Sequence, residues 1–172
     1  MCQWKSNKNN NLVRSRSFSF LLKSKNKFLN KIYFFYNIYV RNFKFLKKSS
    51  QFKEDIFLQK YFKNYEKGKY LDLGCFHPTR DNNTYQLYRK GWNGINIDLN
   101  PLTIQLFNFL RSKDINLNTA LSRKLGKKNF YYFGEFSPLN TLDFNHLKFL
   151  KKNFNFKRNQ YKIKKIKTNN IN

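Results

Sequence analysis

Two carboxylates, Asp72 and Asp98, stand 26 positions apart, each at the end of a short apolar run that turns into a loop. The first run reads Tyr70-Leu71-Asp72-Leu73-Gly74-Cys75-Phe76-His77-Pro78, and the second Gly94-Ile95-Asn96-Ile97-Asp98-Leu99-Asn100-Pro101. Each is a short buried strand in pattern, with one helical segment between them, which is half of a Rossmann-type nucleotide site. Ligands of open α/β sheets bind outside the carboxyl ends of the strands, so Asp72, Gly74 and Asp98 are expected at one crevice. Gly74 lets a flat or extended ligand approach the backbone. Asp98 is placed to accept two hydrogen bonds from the adjacent hydroxyls of a ribose, and Asp72 to attract a cationic amine, directly or through water.

A dinucleotide needs more glycine, because G-x-G-x-x-G brings a helix N-terminus against a pyrophosphate. Here Gly74 is followed by Cys75-Phe76-His77-Pro78, with no second or third glycine. A ligand with a ribose and an amino-acid portion but no phosphate fits better, and S-adenosylmethionine is such a ligand. Cys75 and His77 are two apart and His146 is distant, which does not reproduce the paired spacing of a structural zinc site. His77 has two readings, a general base near the ligand or, with Pro78 beside it, a residue that shapes the loop.

The elements that must position these groups follow from periodicity. Residues 1 to 27 are polar and basic with Ser and Asn clusters and read as poorly ordered. Phe28 to Leu46 forms a basic amphipathic helix in pattern, with Phe28, Leu29, Ile32, Phe35, Tyr36 and Tyr39 on one broad face, either packed on the main domain or docked on a membrane surface. Phe57, Leu58, Tyr61, Phe62 and Tyr65 then recur at helical spacing, with Gly68 as the left-handed exit. A strand at Lys69 to Leu73, a helix at Asn83 to Lys90 and a strand at Gly94 to Asp98 follow. Asn100-Pro101 starts the next helix, since Asn caps free N–H groups and proline suits the first turn, and Leu102 to Arg111 continues it. Ile115 to Leu121 alternates as a third strand. The order implies a parallel sheet with right-handed crossovers. Beyond it, Asn129 to Phe133 reads as a strand, Ser137 to Leu142 as a loop, Asp143 to Lys152 as a helix and Tyr161 to Lys167 as an extended segment.

Length and composition set outer bounds. A chain of 172 residues suits one ordinary domain. The formal charge of +26 suggests nucleic acid or an anionic membrane surface as partner. Its distribution weakens that reading. Residues 1 to 53 hold thirteen Lys or Arg and no acid, residues 144 to 172 hold nine and no acid, and residues 54 to 143 hold thirteen bases against nine acids. Lys, Asn, Phe, Ile and Tyr, which crowd the tails, share A/T-rich codons, so coding bias also accounts for the basicity, and nucleic acid is not the expected partner. The rival reading is a basic binding module that stacks bases on its aromatic rings. Two cysteines, Cys2 and Cys75, make no disulfide framework, and with no signal-peptide pattern near Met1 the expected location is cytoplasmic. The apolar run Ile32 to Val40 falls short of the roughly 20 residues of a membrane span.

The sequence resembles the FkbM-like methyltransferases from about Ser50 to the end, roughly two thirds of the chain. The matching segments are Ser50-Gln51-Phe52-Lys53-Glu54-Asp55, Tyr70-Leu71-Asp72-Leu73-Gly74, His77-Pro78, Asn83-Thr84 and Leu87-Tyr88. They continue with Gly91-Trp92-Asn93-Gly94-Ile95-Asn96-Ile97-Asp98, Asn100-Pro101, Arg111, Asp114-Ile115-Asn116-Leu117-Asn118 and Ala120-Leu121-Ser122. The resemblance implies a Rossmann-like class I fold over residues 49 to 172, behind a basic extension at 1 to 48. It also implies S-adenosylmethionine-dependent methyl transfer, typically to oxygen of a sugar or other secondary metabolite, so a small-molecule or saccharide acceptor. It carries cofactor roles onto Asp72, Gly74 and Cys75 in the first loop, Asp98 at the ribose, and Leu99 and Ala120 beside the adenine. Gln51 and Glu54 would close the methionine end. Family members continue into a strand ending in an Asp-x-Glu-Gly-like turn and further strands. The expectation here is therefore a truncated sheet, its first strand on an open edge, with no nameable catalytic residue.

Overall fold

The computed structural model describes residues 27–48, 50–123 and 125–170, so the reading of the first 26 residues lies outside the described part. The chain divides into two compact units, Met1–Phe43 and Lys44–Asn172.

In the first unit, helix α1, Lys27–Phe35, widens into a π-helical stretch, Tyr36–Arg41. The expected apolar stripe is corrected: Phe28, Ile32, Phe35 and Tyr39 are exposed, while Tyr33, Phe34 and Ile38 are buried together with Asn37. Asn37 is accommodated by hydrogen bonds, donating to the Tyr33 hydroxyl at 3.3 Å and accepting from the Asn42 amide at 3.1 Å. A polar residue so partnered can be buried, and hydropathy alone does not anticipate it.

The second unit begins with α2, Glu54–Tyr61, whose Glu54 and Asp55 lie at the positive end of the helix dipole. It stops at Phe62, well before Gly68. Gly68 has a different reason to be glycine: a Cβ there would lie 2.5 Å from the Trp92 ring. Then come β1 (Lys69–Leu73), α3 (Tyr85–Arg89), β2 (Asn93–Asp98), α4 (Pro101–Leu110) and β3 (Ile115–Asn118). Asn100 caps α4 through a bond from the Leu102 N–H at 3.0 Å, with Pro101 in the first turn.

The three strands form a parallel sheet in the order β1-β2-β3, so β1 is an edge, as expected. This is a mixed α/β arrangement compatible with a Rossmann-like fold. Register aligns Leu71 with Ile95 and Ile115, and Leu73 with Ile97 and Leu117, while Asp72 aligns with Asn96 and Asn116. In strands, alternate residues take opposite faces, so one face is apolar and the other polar.

The polar face is the one turned toward α3 and α4. Asn96 is wholly buried there and donates to Asp114 and Asn116, both at 2.8 Å. Asp114 also accepts from the Tyr70 hydroxyl at 2.5 Å and the Gly94 N–H at 2.9 Å. Burial and the bond to Asp114 hold the Tyr70 phenol far above its ordinary range. Arg111, expected within the helix, ends α4 as its cap residue and is fully buried. Its guanidinium reaches the Pro78 carbonyl, the Thr84 hydroxyl and the Asn82 amide oxygen, at 3.1, 2.8 and 2.6 Å. The Phe107 ring lies 4.8 Å from it.

The third strand ends at Asn118, short of the expected Leu121, which makes only an isolated bridge to Asn169. A separate antiparallel ribbon pairs β4 (Gly126–Tyr132) with β5 (Lys162–Thr168). Between them, α5 (Phe144–Phe154) is capped by Asp143 and ends at Asn155 in the left-handed conformation. Leu147 packs with Tyr131 and Tyr161 in a small core.

Candidate functional site

A cleft of about 560 Å³ opens at the carboxyl ends of the parallel strands. Its floor is the loop that leaves β1. Gly74 takes φ 72°, and the N–H groups of Gly74 and Cys75 both donate to the Ile97 carbonyl, at 2.8 and 3.2 Å. Phe76 follows at φ 56°, unusual for a side-chain-bearing residue, inside a three-residue turn closed by the His77 N–H on the Cys75 carbonyl at 2.6 Å. Such a conformation costs about 1–3 kcal/mol and persists only where its surroundings fix it. Here the Phe76 N–H donates to Asp98 at 3.0 Å, and its carbonyl accepts from the Thr103 hydroxyl at 2.8 Å.

Asp98 therefore organises the cleft from the end of β2. One carboxylate oxygen accepts from Phe76 and the other from the Asn100 N–H at 2.7 Å. Each oxygen keeps a lone pair, and the residue lines the cleft. Burial raises its pKa, opposed by the two N–H bonds, and the neighbouring charge of Asp72 adds to the rise.

Gly74, Leu99 and Ala120 join Asp98 in the cleft wall, as does Gln51. Asp72 and Cys75 do not. Asp72 accepts from the Asn82 amide at 3.0 Å and the Thr84 hydroxyl at 2.8 Å, which ties it into the Arg111 cluster as a brace for the loop. Cys75 is buried against Ile104 and Phe107. Burial, then the charges of Asp98 and Asp72, push its thiol far above the ordinary range, so it presents no thiolate. Glu54 is turned to the Phe52 N–H at 2.7 Å. For His77 the geometry selects loop shaping, because its buried Nδ1 accepts from the backbone N–H groups of Thr79 and Arg80 at 3.2 and 3.0 Å.

The far wall comes from the segment after β4, which carries Glu135, Ser137 and Asn140 into the cleft. It is tethered across the opening: the Asn100 amide donates to the Glu135 carbonyl, and Arg80 to that of Phe136 at 3.4 Å. Sequence reasoning treated Ser137 to Leu142 only as a loop and gave Glu135 no role. Asp81, Glu135 and Asp98 line the cleft, and among the described residues no Lys or Arg does, although Arg80 pairs with Asp81 at 3.8 Å. The site thus has the electrostatics of a receptor for a neutral or cationic ligand and opposes phosphate.

No protein-family model, curated protein or solved structure matches this chain.

Proposed function

We propose that the cleft binds S-adenosylmethionine and that the chain belongs to an S-adenosylmethionine-dependent methyl-transfer function, directed to oxygen on a sugar or another small acceptor. The observation that carries the reading is Asp98, a strand-end carboxylate with a lone pair left on each oxygen, in the wall of the cleft. Two adjacent ribose hydroxyls suit those lone pairs. Leu99 and Ala120 offer apolar surface for an adenine, and Glu135 suits the ammonium or sulfonium charge, Asp81 being paired with Arg80 at 3.8 Å. The lining that favours these charges disfavours a pyrophosphate, which supports a nucleoside over a dinucleotide. The cofactor supplies an electrophilic methyl group. This chain's residues orient it: Asp98 through the sugar, and Gly74 and the fixed Phe76 turn through the approach of the backbone. The FkbM-like pattern of the sequence favours the same class.

Isothermal titration calorimetry tests the reading. Wild-type protein should bind S-adenosylmethionine and not NAD. Replacing a carboxylate that accepts two hydrogen bonds removes charge-assisted bonds of about 1.5–3 kcal/mol each, so Asp98→Ala should weaken binding at least tenfold. Asp98→Asn keeps acceptor capacity for the Phe76 N–H and separates loss of the ligand contact from loss of the turn. Equal affinity of wild type and both variants would remove Asp98 from the site.

A further inference from the structure

Helix α5 buries one apolar face and leaves a second aromatic set outside. Leu147 and Leu150 are 1% and 3% exposed, whereas Phe144 and Phe149 are 52% and 54% exposed. Lys148 and Lys152 share the solvent side with them, and the Lys148 ammonium lies 4.8 Å from the centre of the Phe144 ring. His146 stacks beside Phe149 with centroids 6.4 Å apart. Strand β5, which follows a short turn later, exposes Lys162, Lys164, Lys165 and Lys167. The ribbon register sets Lys127 directly opposite Lys167, a like-charge pair that is unfavourable without a counter-charge. Apart from Asp143, which caps α5, the sequence here is without acid, since residues 144 to 172 hold nine bases and no Asp or Glu.

We infer that the solvent face of α5, together with the lysines of β5, binds single-stranded nucleic acid. Lysine number alone does not carry this, since coding bias accounts for it; the exposure of rings between the lysines does. A polyanion supplies the missing negative charge, and counterion release drives its association. Rings standing among cations are stacking platforms for unpaired bases, which a duplex keeps stacked on each other. A lipid surface is the weaker fit. Interfacial helices immerse a continuous apolar face, and that face of α5 is already turned onto Tyr131 and Tyr161. None of these residues lines the cleft, so the two binding activities are scored separately.

Fluorescence anisotropy of the full chain with a labelled oligouridine of about 16 nucleotides tests this. The single strand should bind more tightly than its duplex with oligoadenosine, and the affinity should fall steeply between about 50 and 200 mM salt. Phe144→Ala with Phe149→Ala should weaken single-strand binding about tenfold or more, with duplex binding little changed. Lys148→Gln with Lys152→Gln, which leaves the rings in place, should flatten the salt slope. No binding at the lower salt would overturn the inference, as would equal affinity for duplex and single strand with the ring variants silent. Preferential capture by vesicles of phosphatidylcholine and phosphatidylserine, in competition with the oligonucleotide, would assign the surface to membranes and also overturn it.

Discussion

The two faces of the parallel sheet reverse the usual pattern, in which an open sheet turns apolar side chains inward. Its polar face is sealed: Asn96 and Arg111 are wholly buried, and Asp72, Asp114 and Thr84 join them in one hydrogen-bonded cluster. Its apolar face is open at the flanks, with Leu71 and Ile115 exposed at 54% and 58%, while central Ile97 is shielded by its neighbours. The difference teaches that burial here follows crossover handedness rather than hydropathy. Two right-handed connections in one direction put both helices on one side, and the residues on that side became a hydrogen-bonded network in which the Asn96 Oδ1 is left without a partner.

The comparison breaks most visibly at Arg111. Arg111→Met leaves the Pro78 carbonyl, the Asn82 amide oxygen and the Thr84 hydroxyl without their buried donor, and should lower stability by about 3–5 kcal/mol in urea unfolding. A loss under about 1 kcal/mol would mean that the network is incidental to folding.

A smaller effect belongs to Asp98, which ends β2 at the cleft. Its folded pKa is raised above an ordinary value near 3.8. Below that value both folded and unfolded chains are protonated there. As pH rises through the folded value, the folded state must ionise a buried group, and the stability held at low pH is lost. Asp98→Asn should therefore gain stability relative to wild type as pH climbs from about 4 toward neutrality. A parallel pair of curves, from urea titrations across that interval, would contradict the raised pKa.

The smallest change is expected on the open face. Leu71→Lys and Ile115→Lys should each shift stability by no more than about 0.5 kcal/mol, and should reduce self-association in sedimentation velocity. Losses of about 2–5 kcal/mol, as in a packed core, would show that this face is covered in solution.

Much of the sheet was legible because its signals are local. Asn100-Pro101 marked a helix start, and Tyr70 to Leu73 and Ile95 to Asp98 stood out as short apolar runs. Gly74 and Asp98 were placed at the cleft for the same reason, since strand-end positions fall together in a parallel sheet, whereas Leu99 and Ala120, which line it with them, came from the family resemblance alone. The role of Asp72 was not readable in this way. Whether a strand-end acid faces the cleft or the helices depends on Asn82, Thr84 and Arg111, and the last of these is 39 residues away. Glu135 was missed because a tether from Asn100 brings its segment over the cleft, and no periodicity encodes that contact. The face of α1 was misjudged because its buried side carries Asn37, a polar residue held by the Tyr33 hydroxyl and the Asn42 amide, which a hydropathy pattern turns outward.

The turn at Phe76 has a consequence for affinity. Both backbone polar groups of this residue are already engaged, by Asp98 and Thr103. An arriving molecule meets a wall whose shape was set when the chain folded, so association forfeits little conformational entropy at that point. Cutting the Thr103 tether with valine, a near-isosteric change that keeps the volume of this lining residue, should then loosen the grip on any occupant.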